Sequence, residues 1–468
     1  MNAPIIGPTY EEMLHPSKID PNIRMRAKKM ADEDPLHPIN LFNITWRGHD
    51  DKIKYFILPK AFTGIDSNII VLYAKDFPSG SHKVGPTYSV LVEQVVTGQV
   101  DPEKHTMVWP STGNYGVGGA WVSSRMHYKS LVILPEEMSK ERFDLIRSYG
   151  SDVIATPGCE SNVKEIYDKT HELRGASPDT IRILNQFEAF ANYRFHYYVT
   201  GNTMVEMVKE NNIGNGRIAS IVLTVGSAGT IASGDCVKEH FPEVKIVSGE
   251  PIQCPTLSLN GYGAHDIQGI GDKHVTWIHN VMNMDGVVQI DDMDSKTLLK
   301  LITSKEGKAY LKTFLDPEFV EFMSDKLGIS GCANIIGAIK TAKYYGFKAD
   351  ENLVIVATDA IDRYYSVMEA MPDMDEQKAA SAFERILKYQ EPSLFFEGDR
   401  YNRLRWHNLK YYTWVEQQGK TVEELNASID QSYWKKQVDL IPQMDEKILE
   451  WRKRHADTLT EALGEFNV

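Results

Sequence analysis

The chain has 468 residues, with 51 Lys and Arg against 64 Asp and Glu for a formal net charge of -13. At roughly 100–200 residues per domain this length predicts about two to four structural units, and 42% hydrophobic with 25% charged residues excludes the disordered and fibrous classes. The acidic balance also lacks the basic face of a nucleic-acid-binding protein, though it leaves phosphate binding at one backbone site open.

In chain order, residues 1 to about 45 are rich in Pro, Met and charge and predict an irregular or short-helical arm. The first residues show no basic stretch followed by an apolar one, so a cytoplasmic chain without a signal peptide is expected. From residue 106, short apolar runs alternate with amphipathic segments, as in the βαβ units of an open parallel sheet. The pattern predicts a strand at 106–109, a helix at about 115–126, a strand at 130–134, a helix at 139–149 stopped by Gly150, and a strand at 152–156. A second series predicts a strand at 218–225, a Gly-rich turn, a helix running to Phe241, a strand at 245–248, a helix after Ser330 and a strand at 353–358. Residues 218–232 are too few and too polar to span a membrane. Residues 371–468 predict helices with turns, in which an aromatic, basic run at 401–414 reads as packing or a subunit contact, with a lid over the cleft as the alternative.

Two such series predict two α/β lobes with a cleft between them. Chemistry is then expected beyond the carboxyl ends of strands, in the loops after Trp109 and Val225. Cys159, Cys236, Cys254 and Cys332 lie far apart with no CxxC pair, which predicts reduced thiols and no metal site.

Residues 76–86, DFPSGSHKVGP, set Lys83 behind Gly80, Ser81 and His82 at the start of an apolar helix. Small residues let a ligand approach the backbone, so Lys83 is either an ordinary surface lysine or an imine-forming one. Ser111-Thr112-Gly113-Asn114-Tyr115-Gly116 follows a strand and opens a helix. Its free amides suit an anion such as a carboxylate, or form an ordinary capped turn. Gly226-Ser227-Ala228-Gly229-Thr230 is placed the same way. Without the Lys-Ser/Thr of a Walker loop or a GxGxxG pattern, it suits the phosphate of a cofactor smaller than ATP or a dinucleotide.

Taken together these segments resemble the fold type II pyridoxal-phosphate enzymes of the tryptophan synthase beta superfamily, most closely the cysteine synthase and cystathionine beta-synthase branch. The resemblance runs over about residues 36–368. Ser81-His82-Lys83 is similar to the family's S-x-K step, Ser111 to Asn114 to its TSGN substrate loop, and Leu134 to Arg142, LPEEMSKER, to MPETMSIER. Asn185-Gln186-Phe187, Ala191-Asn192, Glu250-Pro251, His265 to Gly271 (HDIQGIG), Gly328 to Gly331 (GISG) and Asp362-Arg363-Tyr364 match further motifs in family order.

The resemblance implies a two-lobed α/β fold with open, twisted, mostly parallel sheets flanked by helices. Residues 46–87 and 205–370 would form a large cofactor-binding lobe and 88–204 a small substrate-loop lobe, with an arm at 1–45 and a helical extension at 371–468. It implies pyridoxal 5'-phosphate joined to Lys83, with Asn114 at the phenolic oxygen, Ser330 at the ring nitrogen, and Gly226, Ser227, Ala228, Gly229 and Thr230 at the phosphate. Ser111, Thr112, Gly113 and Gln186 would hold the substrate carboxylate, helped by the positive end of the helix after Asn114.

Tyr115, Gly271 and Asp272 would border the same substrate site. Tyr115 stands where the family has Thr, and Asp272-Lys273-His274-Val275 replaces an apolar and aromatic sequence. A phenol and a carboxylate there predict a polar or cationic β-substituent, with a solvated loop charge as the equal alternative for Asp272. His82 and His274 are read as surface or supporting residues, with proton carriage as the alternative.

A neutral serine at the ring nitrogen makes a weaker electron sink, which favours loss of a β-substituent over transamination. The implied reaction is cysteine-synthase-like β-elimination or β-replacement on a small-molecule amino acid through an aminoacrylate. The implied enzyme is a homodimer with no nucleic-acid or membrane partner. The alternatives are a deaminating lyase or dehydratase of the same fold, or a catalytically reduced cofactor-binding subunit.

Overall fold

The computed structural model describes residues 4–464 apart from Thr112 and Glu160. Its strands form two sheets. The large one has the order β1 (Tyr55–Ile57), β2 (Asn68–Tyr73), β10 (Asn352–Ala357), β7 (Ile218–Thr224), β8 (Lys245–Pro251), β9 (Gly286–Ile290) and β11 (Phe395–Glu397). The inner strands run parallel, and β1 and β11 close the edges antiparallel. β2 (NIIVLY) and β10 (NLVIVA) are apolar at consecutive positions rather than alternate ones, because helices cover both faces of the sheet. The small sheet, β5 (Asp152–Thr156), β4 (Lys129–Pro135), β3 (Thr106–Pro110) and β6 (Ile181–Ile183), is parallel throughout.

The chain leaves the large sheet after β2, builds the whole small sheet and returns at β7, while β10 slots between β2 and β7. This crossover sets the carboxyl ends of β2, β10 and β7 side by side, the place where open α/β sheets bind ligands. The elements expected between 106 and 156 and between 218 and 358 are present. β8 runs past its expected end at Ser248 to Pro251, and the helix expected at 139–149 is Lys140–Ser148 with Ser139 as its N-cap.

Two regions are more ordered than their sequence patterns show. The arm is ordered by its own caps: the Asp20 carboxylate accepts from the amides of Asn22 and Ile23 and starts the helix Pro21–Glu33, which buries Ile23 and Ala27. Ile5 and Ile6 are fully buried, and Glu12 pairs with Arg452 at 2.8 Å, joining the arm to the helix Ile441–Arg454. The extension is helical apart from β11, whose Phe395 lies opposite Val288 of β9 and stacks on Tyr344. In the 401–414 run, Trp406, Lys410 and Trp414 recur at a helical spacing and are buried, whereas Tyr401 and Tyr412 are exposed. No helix among the described residues is long and apolar enough to cross a membrane.

Candidate active site

Lys83 stands at the N-cap of the helix Val84–Val96, beyond the end of β2. It is 8% exposed, and its Nζ donates to the hydroxyl of Ser227 at 3.2 Å, so the surface-lysine reading fails. Ser227 belongs to the turn between β7 and the helix Ala232–His240. Ala228 there has φ +60°, the left-handed conformation found in anion nests, and the Gly229 amide donates to the Ser227 hydroxyl at 3.3 Å. A Cβ on Gly229 would overlap the Asn192 carboxamide, which fixes glycine at that position. Asn192 Nδ2 in turn donates to the Ser227 hydroxyl (3.1 Å) and to the Gln186 carbonyl (3.0 Å), tying the nest to the segment that carries Gln186. Thr230 Oγ1 bonds His82 Nε2 at 3.1 Å.

The substrate loop follows β3. The Ser111 hydroxyl accepts from the amides of Gly113 (2.9 Å) and Gly116 (2.7 Å) and so caps the first turn of the helix Asn114–Arg125. Thr112 lies outside the described residues. Asn114 Nδ2 donates to Asp359 at 2.6 Å, while its Oδ1 is buried without a partner. Gln186 is buried close by in sequence to the Asn192 bridge. Tyr115 departs from its expected place. One position on from Asn114 the helix has turned by about 100°, and the phenol enters the small-lobe core, donating to the Leu184 carbonyl at 3.2 Å and packing edge-on against Trp109.

Ser330 sits in the first turn of the helix Ile329–Tyr345, its hydroxyl buried without a partner. Gly271 has φ +81°, donates its amide to the Val225 carbonyl (2.8 Å) and accepts from His265 Nε2 (2.7 Å), so a side chain there would strike His265. Asp272 is not a solvated loop charge. Both its carboxylate oxygens are buried without partners beside Gly226, and burial pushes the carboxyl up to about 7, with the Lys83 charge pulling the other way. His82 is likewise buried, and His274 is partly buried. Burial, with the Lys83 charge added, holds His82 well below the usual imidazole range, and burial takes His274 down to about 3.

Sequence reasoning missed Asp359 and Arg142. Arg142 donates to Ser139 (3.0 Å), Gln268 and the Tyr364 hydroxyl (2.9 Å), and Tyr364 donates to Asp359 at 2.7 Å. The signals were faint: a single carboxylate just past the apolar run of β10, and an arginine closing the LPEEMSKER motif.

An anion nest, a buried lysine amine beside it, and two buried polar atoms without partners, Asn114 Oδ1 and Ser330 Oγ, fit a phosphorylated carbonyl compound with a polar ring. Buried groups left unsatisfied cost about 1–3 kcal/mol each unless a ligand completes them. The fold and the site together are those of an α/β enzyme built around such a cofactor. A family model described as pyridoxal-phosphate dependent enzyme matches residues 69–310, just over half of the chain. A probable cysteine synthase of Bacillus subtilis is 30% identical over 290 residues, covering 62% of this chain and 85% of that protein. A cysteine synthase of Staphylococcus aureus is 28% identical over 306 residues, 64% of this chain and 90% of that one. Among solved structures, a hydrogen sulfide-producing enzyme from Fusobacterium nucleatum matches with a TM-score of 0.57 and 26% identity, over 70% of this chain and 91% of that one. The chain belongs to the pyridoxal-phosphate-dependent enzyme family, within its cysteine synthase type, and its cofactor is pyridoxal 5'-phosphate.

Proposed function

We propose that this enzyme eliminates or replaces the β-substituent of a small amino acid, with Lys83 as the residue that holds the cofactor and carries the α-proton. The observation that carries this reading is the 3.2 Å contact of Lys83 Nζ with Ser227, which sets a buried amine against an anion nest. The likeness to two cysteine synthases supports the reaction type. When bound, the cofactor supplies an electron sink for the α-carbon.

The protein's part is binding, orientation and proton handling. The amides of Gly226 to Thr230 bind the phosphate, and Asn114 and Ser330 orient the ring through hydrogen bonds. Ser330, a hydroxyl rather than a carboxylate, does not favour a protonated ring nitrogen, so the β-bond breaks in preference to transamination. Gly113, Ser111, Gln186 and the positive end of the helix Asn114–Arg125 hold the substrate carboxylate, which takes the place of the Ser111 hydroxyl at the Gly113 amide. Lys83 Nζ takes the α-proton and returns it. The residue boundaries of the two lobes, 46–87 with 205–370 and 88–204, and a cytoplasmic homodimer belong to the same reading.

The test is incubation of the holoenzyme with O-acetylserine, with and without sulfide, followed by assay for acetate, cysteine and keto acid. Acetate release that depends on Lys83, with borohydride fixing the cofactor on the peptide containing Lys83, is the expected result. No release from O-acetylserine, cysteine or O-phosphoserine would overturn the reading.

A further inference from the structure

We infer that the C-terminal extension is a strut for the active site, with Lys410 and Trp414 as positioning residues that fix the cofactor-phosphate loop through residues 275–279. The family model matches residues 69–310, and the extension lies beyond that range. Lys410 is fully buried, and among the described residues its Nζ bonds go to carbonyls rather than to a carboxylate: Trp277 O at 3.1 Å and His279 O at 2.6 Å. Trp414, four residues on, donates its indole N–H to the Val275 carbonyl at 2.8 Å. Residues 275–279 form no strand but bend through a turn in which the His279 amide donates to the Thr276 carbonyl at 3.3 Å, so the carbonyls of Val275 and Trp277 gain no partner from a sheet ladder. Two side chains of the extension therefore hold three successive alternate carbonyls of this irregular segment.

The same short segment reaches the site in the other direction. Thr276 Oγ1 donates to the Ser227 carbonyl at 2.9 Å, and the Trp277 amide donates to the Phe187 carbonyl at 2.9 Å, next to Gln186. Tyr167 bonds His274 at 3.2 Å, and Trp414, Trp277, Phe187 and Tyr167 share one apolar cluster. Lys410 therefore stands one link from the segment and two from Ser227, the residue that Lys83 touches. The ring of Trp434, 5.3 Å from Nζ, offers the buried amine a favourable face. The proposal rests on the reading of residues 226–230 as the phosphate site, but the bonds from Lys410 to Ser227 do not.

The test is amide hydrogen exchange on the full-length protein with and without pyridoxal phosphate, comparing wild type, Lys410→Met, Lys410→Arg and the exposed control Lys436→Met. Lys410→Met is expected to speed exchange roughly tenfold in peptides covering 222–230 and 272–280, in both states, while β10 keeps its protection. Pyridoxal phosphate binding, followed by absorbance, should weaken several-fold, Lys410→Arg should restore most of the protection, and the control should change neither. Faster exchange confined to the extension, or no change at 222–230, overturns the strut. Faster exchange in both segments with unchanged cofactor affinity upholds the strut and overturns the phosphate assignment instead. Should Lys410→Met not accumulate folded, Trp414→Phe, which removes one donor only, carries the same comparison.

Discussion

Arg142 and Asp359 lie 3.5 Å apart at the boundary of the two lobes, and neither side chain is exposed. Arg142 comes from the small lobe and Asp359 follows β10 of the large one. Burial raises the Asp359 carboxyl, and Arg142, Asn114 and Tyr364 pull it back. A buried pair of this kind adds little net stability, yet removing one member strands the other without water. Arg142→Met is expected to cost about 3–5 kcal/mol in urea unfolding, and Asp359→Leu added to it should recover a good part. A single substitution costing under about 1 kcal/mol would show that water reaches the pair.

Asp272 gives a pH prediction with a definite sign. Its carboxyl is raised from 3.8 to about 7 by burial, so between these values the folded chain holds a proton that the unfolded chain has released. Folding stability must therefore fall as pH rises through that window, by at most about 1.4 kcal/mol per unit from this group. Asp272→Asn removes the dependence. The stability difference between variant and wild type should widen from pH 4.5 to 7 and then level off, as measured by urea unfolding at each pH. A flat difference means an ionised, hydrated carboxylate.

Tyr115 was expected at the substrate carboxylate and lies in the core instead. Tyr115→Phe leaves the Leu184 carbonyl without its donor and should cost about 1–3 kcal/mol of stability. It should leave the ratio of kcat/KM values between small, polar and anionic β-substituted substrates unchanged. A shifted ratio with unchanged stability would restore the phenol to the substrate site.

The alternating strands and helices from residue 106 onward and the 226–230 turn were legible because periodicity and small residues are local signals. Tyr115 was misplaced because its family position names a spot in the chain, whereas its direction is set by helix phase and by the Trp109 ring it packs against. The arm reads as irregular or short-helical, with the choice left open, because its order comes from contacts far along the chain, Glu12 with Arg452 and Tyr10 with Glu93. Asp359, Arg142 and Lys410 were invisible for the same reason. A charged residue shows its burial only once distant partners are in place.

Ser330 separates cofactor binding from folding by opposite signs. Its hydroxyl is buried without a partner at the start of the helix Ile329–Tyr345, so in the cofactor-free protein it contributes an unmet hydrogen bond. Ser330→Ala should leave the unfolding free energy of the cofactor-free protein unchanged or slightly higher, since the methyl needs no partner. The same change should weaken pyridoxal phosphate binding by about 0.5–1.5 kcal/mol, the net value of one neutral hydrogen bond. Ser330→Asp would set a carboxylate against the ring nitrogen and favour its protonated form, shifting the visible spectrum and slowing β-elimination more than the Ala change does. The two measurements are a cofactor titration and urea unfolding of the cofactor-free chain. If Ser330→Ala loses stability without the cofactor and binds it as tightly as before, the hydroxyl serves the helix and the ring nitrogen lies elsewhere.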